Sequence, residues 1–308
     1  MGLTALFKKA ATLGSLVRGK SVWLGNKKYR MKGLFANPLA VNAEQWQEKE
    51  IGLDLIFKSV LHCREGAFLD VGANLGQTMF KILAMDPTRR YIGLEPQIAC
   101  CLMTQRFLDE NHITNFSILP VGLFNVSRMM KIHGGRTDYA ATASVVAGFR
   151  PDSFYSSDRY VCLRRGDDVV SELGLASICG IKIDVEGAEL EVLQGLEDTV
   201  QRTQPFLVFE VLNHFLVVTG DKLDDQTLKF RESRIESLEH LLRHRGYEIF
   251  NIVPGNRLSR VHQIQPPVSD DLSLTNYIAA PTSGIDTFLN TYEALGGKIQ
   301  DSASLAVA

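Results

Sequence analysis

Cysteine is scarce and unpatterned: five residues in 308, at positions 63, 100, 101, 162 and 179, with no C-x-x-C spacing. That excludes a disulfide framework, offers no zinc site, and fits a reducing, cytoplasmic setting. No apolar run is long enough to cross a bilayer. No acid occurs before residue 44, although that stretch carries eight Lys/Arg. With a net charge of −2 over the whole chain, the remainder is acidic, which argues against nucleic acid as a partner because such binding needs a basic face. No internal repeat is present. What remains is the composition of a packed globule, 45% hydrophobic and 22% charged.

The acid-free start, residues 1–43, reads as a basic amphipathic segment. Leu3, Leu6, Phe7, Ala10, Leu13 and Val17 recur at helical spacing, surrounded by Lys8, Lys9, Arg18 and Lys20. Such a helix can make peripheral contact with an anionic membrane through residues 2–20, or pack on its own body or on a partner subunit. Lysines interrupt any secretory apolar core. Residues 27–38 read as a short extended or irregular connector and 44–63 as a helix.

The stretch that organises the chain is Phe68-Leu69-Asp70-Val71-Gly72-Ala73-Asn74-Leu75-Gly76. A short apolar strand ends in a glycine turn, and a helical pattern begins at Gln77. Open α/β sheets bind nucleotides at such a strand-to-helix turn. The loop is not the dinucleotide fingerprint G-x-G-x-x-G, because Asn74 stands where bare backbone would have to approach a pyrophosphate. A nucleoside cofactor without a pyrophosphate suits it better. S-adenosylmethionine is one, and its cationic amino group suggests Asp70 as the partner.

Residues 91–94 form a second strand, followed at once by Glu95-Pro96. Glu95 lies about twenty residues beyond the glycine loop, the separation at which an acid meets a ribose diol. After a helix over 98–110 and a strand over 116–120, Gly122 falls where the adenine edge would lie. Residues 125–165 break the alternation of strand and helix and read as a hairpin-like insertion able to cover a site. It carries His133, a surface histidine or a base. Asp167-Asp168 is expected to cap a short helix.

Residues 178–184 form a strand whose end, Ile181-Lys182-Ile183-Asp184, alternates, so Lys182 and Asp184 share a face. Charge of this density is unusual in a buried parallel strand, and its position at the strand's C-terminal end suggests a site. Glu186 follows, as a further acid or a partner for the next helix N-terminus. A fifth strand ends at Glu210, with His214 in the loop beyond. A helix is expected over 236–245, strands over 247–253 and 275–279 as an antiparallel pair, and a last helix over 285–295. Residues 44–296 are expected to form one catalytic domain and 297–308 a flexible tail.

Four separated pieces then agree: Asp-Val-Gly-Ala-Asn-Leu-Gly at 70–76, Gly-Leu-Glu-Pro at 93–96, Ile-Lys-Ile-Asp-Val-Glu-Gly-Ala-Glu at 181–189 and Leu-Val-Phe-Glu at 207–210. Together they resemble the FkbM-type methyltransferase family, over roughly residues 66–280. The tract at 164–168 departs from the Leu-Asp-Asp expected there, so no role is carried onto Asp167 or Asp168. The resemblance implies an α/β class I methyltransferase fold: a Rossmann-like, mostly parallel seven-stranded sheet, helices on both faces, and a terminal antiparallel hairpin. It implies S-adenosylmethionine as cofactor, held by Asp70, Gly72, Asn74, Gly76, Glu95 and the Gly122 edge. It also implies methyl transfer to a hydroxyl of a sugar, glycolipid or related small-molecule acceptor.

A neutral hydroxyl needs a base. Asp184, Glu210 and His214 are the candidates, with Lys182 to orient an acid or an anionic acceptor. Asp184 with Glu210 could instead hold a divalent cation through hard oxygens. Two other functions compete: a nucleotide-dependent oxidoreductase, and a non-catalytic membrane-surface protein that keeps the fold.

Overall fold

The computed structural model describes residues 20–31, 52–135, 141–146, 155–212, 225–265 and 272–300. The amphipathic stripe at 3–17, residues 44–51 of the expected helix, His214 and the tail from 302 lie outside the described residues.

The centre is a sheet of nine strands whose inner members are almost wholly apolar. β3 (Ala67–Val71), β9 (Ile178–Ile183) and β4 (Tyr91–Leu94) are buried along their entire length, as parallel strands covered on both faces must be. β5 (Phe116–Leu119) and β10 (Phe206–Glu210) flank them. All of these pair in parallel, in the order β5-β4-β3-β9-β10. The strand order reverses between β3 and β9, which opens a crevice above the C-terminal ends of these two strands.

The antiparallel end follows. β13 (Asn276–Pro281) pairs with β10 and with β11 (Tyr247–Val253), both antiparallel. The order β5-β4-β3-β9-β10-β13-β11 is the seven-stranded class I arrangement. Two more strands extend it at the edge, β12 (Arg257–Arg260) and β14 (Lys298–Gln300).

Helices cover both faces. On one side Phe57 of α1 (Leu53–Cys63), Phe80 of α2 (Gln77–Met85), Phe107 of α3 (Ile98–Glu110) and Phe288 of α8 (Ile285–Ala294) pack on the sheet. On the other, the cover is Val170 of α4 (Gly166–Glu172), Leu193 of α5 (Glu189–Gly195), Val200 of α6 (Glu197–Thr203) and Leu242 of α7 (Asp225–His244). No described helix is long and apolar enough to cross a membrane.

Within the stretch 125–165, β7 (Arg128–Gly134) pairs antiparallel with β8 (Ser157–Arg165), and β6 (Gly122–Phe124) lies parallel beside β8. This small sheet packs Ile132, Val161 and Leu163 toward Ala188, so it rests on the loop that follows β9.

The structure corrects several expectations. Residues 27–31 take the extended form and are more than a connector: β1 (Lys20–Leu24) and β2 (Lys27–Met31) form a hairpin whose Val22, Leu24, Tyr29 and Met31 are buried. Lys20 therefore begins a strand instead of ending the amphipathic segment. β14 draws residues 298–300 out of the expected tail by pairing with β12. α7 starts at Asp225, well before residue 236. Asp167 does not cap its own helix; its carboxylate accepts the backbone N–H groups of Asp198 and Thr199 at the start of α6.

Candidate functional site

The turn after β3 is built around left-handed backbone. Gly72, Asn74 and Gly76 have φ of 88°, 43° and 81°. Gly72 is glycine for a second reason: a Cβ there would lie 1.9 Å from the Asp184 carbonyl oxygen. The turn is tied to the neighbouring strand by the Gly72 N–H, which donates to the Leu94 carbonyl at 2.8 Å.

Glu95 stands across from it. Its two carboxylate oxygens accept the Asn74 and Gln97 N–H groups, each at 2.8 Å. The residue is 3% exposed, and burial, only partly offset by these two bonds, pushes its carboxyl up to about 7. Each oxygen keeps a further lone pair.

A cavity opens between these pieces. Gly72, Asn74 and Glu95 form one wall, Gly122 and Leu123 another, and Asp184 and Glu186 the floor toward β9. Ile132, Ala141, Ala143 and Val145 reach in from the insertion. The structure thus brings four of the six expected cofactor residues, Gly72, Asn74, Glu95 and Gly122, to one space.

The other two are not on its wall. Asp70 is 1% exposed and accepts a short hydrogen bond from the Tyr91 hydroxyl. The period of the strand puts it on the same face as Phe68, and the register sets it beside Lys182. Asp70 therefore lies beneath the turn and does not line this cavity. Gly76 is the N-cap of α2, where a Cβ would meet Met79 Cε at 2.9 Å; it shapes the turn and does not line the cavity.

The acids converge as expected. Single carboxylate oxygens of Asp184, Glu186 and Glu210 lie within 4.8 Å of one another. Lys182, 4% exposed, donates to the Asp184 carboxylate at 2.8 Å. Glu210 ends β10 and accepts the Thr275 hydroxyl at 2.8 Å. Burial, then the charges of Asp184 and Glu186, hold its carboxyl well above the usual carboxylate range. Three close acids can share protons or receive a hard cation. Glu189 takes the N–H groups of Val185 and Gly187 and is raised by burial to about 7.

His133 lies on β7, 2.8 Å from Asp158, and is not part of the cavity wall. Two residues not foreseen lie in a separate cavity. Arg231 and Arg234 of α7 line a second cavity with Glu189 and Glu210. Arg234 also binds Glu191 and donates to the Gly187 carbonyl.

With this geometry in view, comparison with known proteins is informative. The profile described as "Methyltransferase FkbM domain" matches residues 70–249, more than half of the chain. The antimetabolite synthetase AmbE of Pseudomonas aeruginosa is 26% identical over 247 residues, which cover 68% of this chain and 11% of AmbE. Methyltransferase 1 of Beauveria bassiana is 24% identical over 179 residues, covering 54% of this chain and 72% of that protein. The solved FkbM methyltransferase of Methylobacillus flagellatus superposes with a TM-score of 0.41 at 16% identity, over 70% of this chain and 43% of that one. The chain thus spans less than half the length of AmbE and of that solved protein.

Proposed function

This chain belongs to the FkbM methyltransferase family, and on that premise we propose that it transfers a methyl group from S-adenosylmethionine to a hydroxyl of a sugar, glycolipid or related metabolite. The observation that carries this is the cavity lining: Asp184 and Glu186 lie beside Gly72 and Glu95, and a carboxylate oxygen of Glu210, at the end of the next strand, is within 4.8 Å of theirs. When bound, S-adenosylmethionine supplies an electrophilic methyl on sulfur; as the C–S bond breaks and the C–O bond forms, the alcohol must lose one proton.

The residues divide the work. Gly72 and Asn74 let the chain pass close to the nucleoside. Glu95 takes the ribose diol on its two oxygens. Asp184, held by Lys182, accepts the proton of the acceptor hydroxyl. Burial and its acidic neighbours raise the Glu210 carboxyl, which suits it to hydrogen bonding more than to the role of base. Holding the reactants in line contributes more than the base does, with about 7–11 kcal/mol available from positioning.

The direct test is incubation with methyl-labelled S-adenosylmethionine and fractionated cell extract. Label on an oxygen-bound methyl of a small molecule or glycolipid is expected. Label on nitrogen or carbon, or none, overturns the proposal.

Cofactor affinity should follow the ionisation of Glu95. The diol donates to a carboxylate, so binding favours the charged form, whereas burial in the free protein favours the neutral one. With Glu95 at about 7, affinity is expected to rise about tenfold from pH 6 to pH 8, with proton release at neutral pH. Calorimetry in buffers of different ionisation enthalpy measures both; flat affinity and no proton release would remove Glu95 from the site. In the ligand-free protein the sign is opposite. The raised carboxyl stabilises the fold most below its unfolded value, and that contribution is lost as the pH rises through about 7.

The three carboxylates also suit a divalent cation, with which they could bind an acceptor. We expect transfer to survive chelation, because Lys182 already brings a positive charge to Asp184. Loss of activity in EDTA with recovery on adding magnesium would assign the acids to an ion.

A further inference from the structure

Glu186 is held in a conformation its residue type disfavours. Its φ is 56°, left-handed backbone that a non-glycine residue adopts at a cost. It lies in the loop between β9 and α5, and that loop is fastened from three directions. The Ser144 hydroxyl donates to the Glu186 carbonyl at 2.7 Å. Arg234 of α7 donates to the Gly187 carbonyl at 2.9 Å. Glu189 accepts the N–H groups on either side, those of Val185 and Gly187, at 3.2 Å each.

The fastening by Ser144 comes from the insertion, not from the sheet. Ser144 is fully buried, and its backbone pairs in both directions with His133 of β7. Its neighbours Ala143 and Val145 line the same cavity as Glu186. One short segment therefore forms a wall of the cofactor cavity and fixes the backbone of an acid on its floor.

Glu186 sits on the cavity wall, with a carboxylate oxygen within 4.8 Å of Asp184 and Glu210. We propose that Glu186 is a further catalytic residue, which accepts a hydrogen bond from the acceptor and orients its hydroxyl toward the transferred methyl, and that Ser144 is its positioning residue. The proposal rests on the methyl-transfer reaction above. With Asp184 taking the reacting proton and Glu186 accepting a hydrogen bond, the acceptor is a polyol-like molecule with a second donor next to the reacting hydroxyl.

The test compares wild type, Glu186→Gln, Glu186→Gly and Ser144→Ala with the acceptor found by labelling. Glu186→Gln should lower kcat/KM by about 10- to 100-fold, as expected for losing a hydrogen bond to a charged group, with cofactor affinity unchanged. Glu186→Gly should lose at least as much activity while its Tm rises by about 2–4 °C, because glycine adopts this φ without strain. That opposite movement of stability and activity is the signature a merely structural residue would not give. Ser144→Ala should move kcat more than KM and leave cofactor affinity intact. Wild-type kcat/KM in both Glu186 variants overturns the proposal while methyl transfer stands. Absence of transfer by the wild type overturns the reaction, and the proposal with it. Full activity in Ser144→Ala with loss in the Glu186 variants removes the positioning role of Ser144 alone.

Discussion

Replacing Asp184 with asparagine is expected to slow methyl transfer by about 10²–10⁴-fold, the usual contribution of a positioned base, with the dissociation constant for S-adenosylmethionine within a few-fold of wild type. The substitution keeps an oxygen to accept the Lys182 ammonium, now 2.8 Å away. It therefore removes basicity with little change of shape. That matters because Lys182 is buried, and removing one partner of a buried ion pair can cost about 3–5 kcal/mol; alanine at 184 would confuse that penalty with the catalytic one. Glu210 is not expected to rescue the variant at neutral pH. Burial and its acidic neighbours hold its carboxyl well above the usual range, so a smaller share of it is ionised than of an ordinary carboxylate. Raising the pH should restore part of the rate if Glu210 can substitute once ionised. Single-turnover rates with labelled cofactor, measured across pH beside a binding titration, give both numbers. An unchanged rate would remove Asp184 as the base.

The parts of this site that could be read from sequence are those whose chemistry is local. The strand, the glycine turn and the start of α2 form one continuous stretch, and each residue there announces its backbone need. Lys182 and Asp184 stood out because a parallel strand buried on both faces should carry no charge. Glu95 was legible through its distance from the turn. Local reasoning reads less of the surroundings of Asp70. Its motif position suggested the cofactor, but the strand's alternation directs it to the Phe68 face, toward Tyr91.

The contacts that hold the acids were not legible, because their partners are remote. Ser144 is 42 residues from Glu186, Arg234 is 47 from Gly187, and Thr275 is 65 from Glu210. No periodicity announces such contacts. The β1–β2 hairpin was hidden differently. Its alternation is real, with Val22, Leu24, Tyr29 and Met31 buried, but Lys27, Lys28 and Arg30 fill the exposed positions and give the stretch the look of a solvated connector. β12 was concealed by its length and by the preceding turn, where Gly255 and Asn256 take φ of 82° and 56°.

Gly72→Ala should then do more damage than any other small change in the turn. Two costs add. Alanine at a φ of 88° pays about 1–2 kcal/mol for left-handed backbone. Its Cβ would also stand 1.9 Å from the Asp184 carbonyl oxygen and 3.3 Å from Val185 Cγ1, an overlap that can only be relieved by moving backbone, at about 1–3 kcal/mol or more. A loss of about 2–5 kcal/mol in denaturant unfolding is expected. Gly174→Ala provides the control, since its φ is 60° and nothing lies within 4 Å of the added carbon; it should show the conformational cost alone. The difference between the two variants measures the close approach of the turn to the end of β9. That approach has a functional meaning, because the atom struck is the carbonyl of the proposed base. The Asp184 N–H also donates to Val71, one residue before Gly72, so the cofactor turn and the base share a backbone contact. If Gly72→Ala still folds, it should therefore lose cofactor affinity and transfer rate together, whereas Asp184→Asn loses rate alone. Gly72→Ala with the stability of Gly174→Ala and unchanged binding would show that the turn and the base are not so coupled.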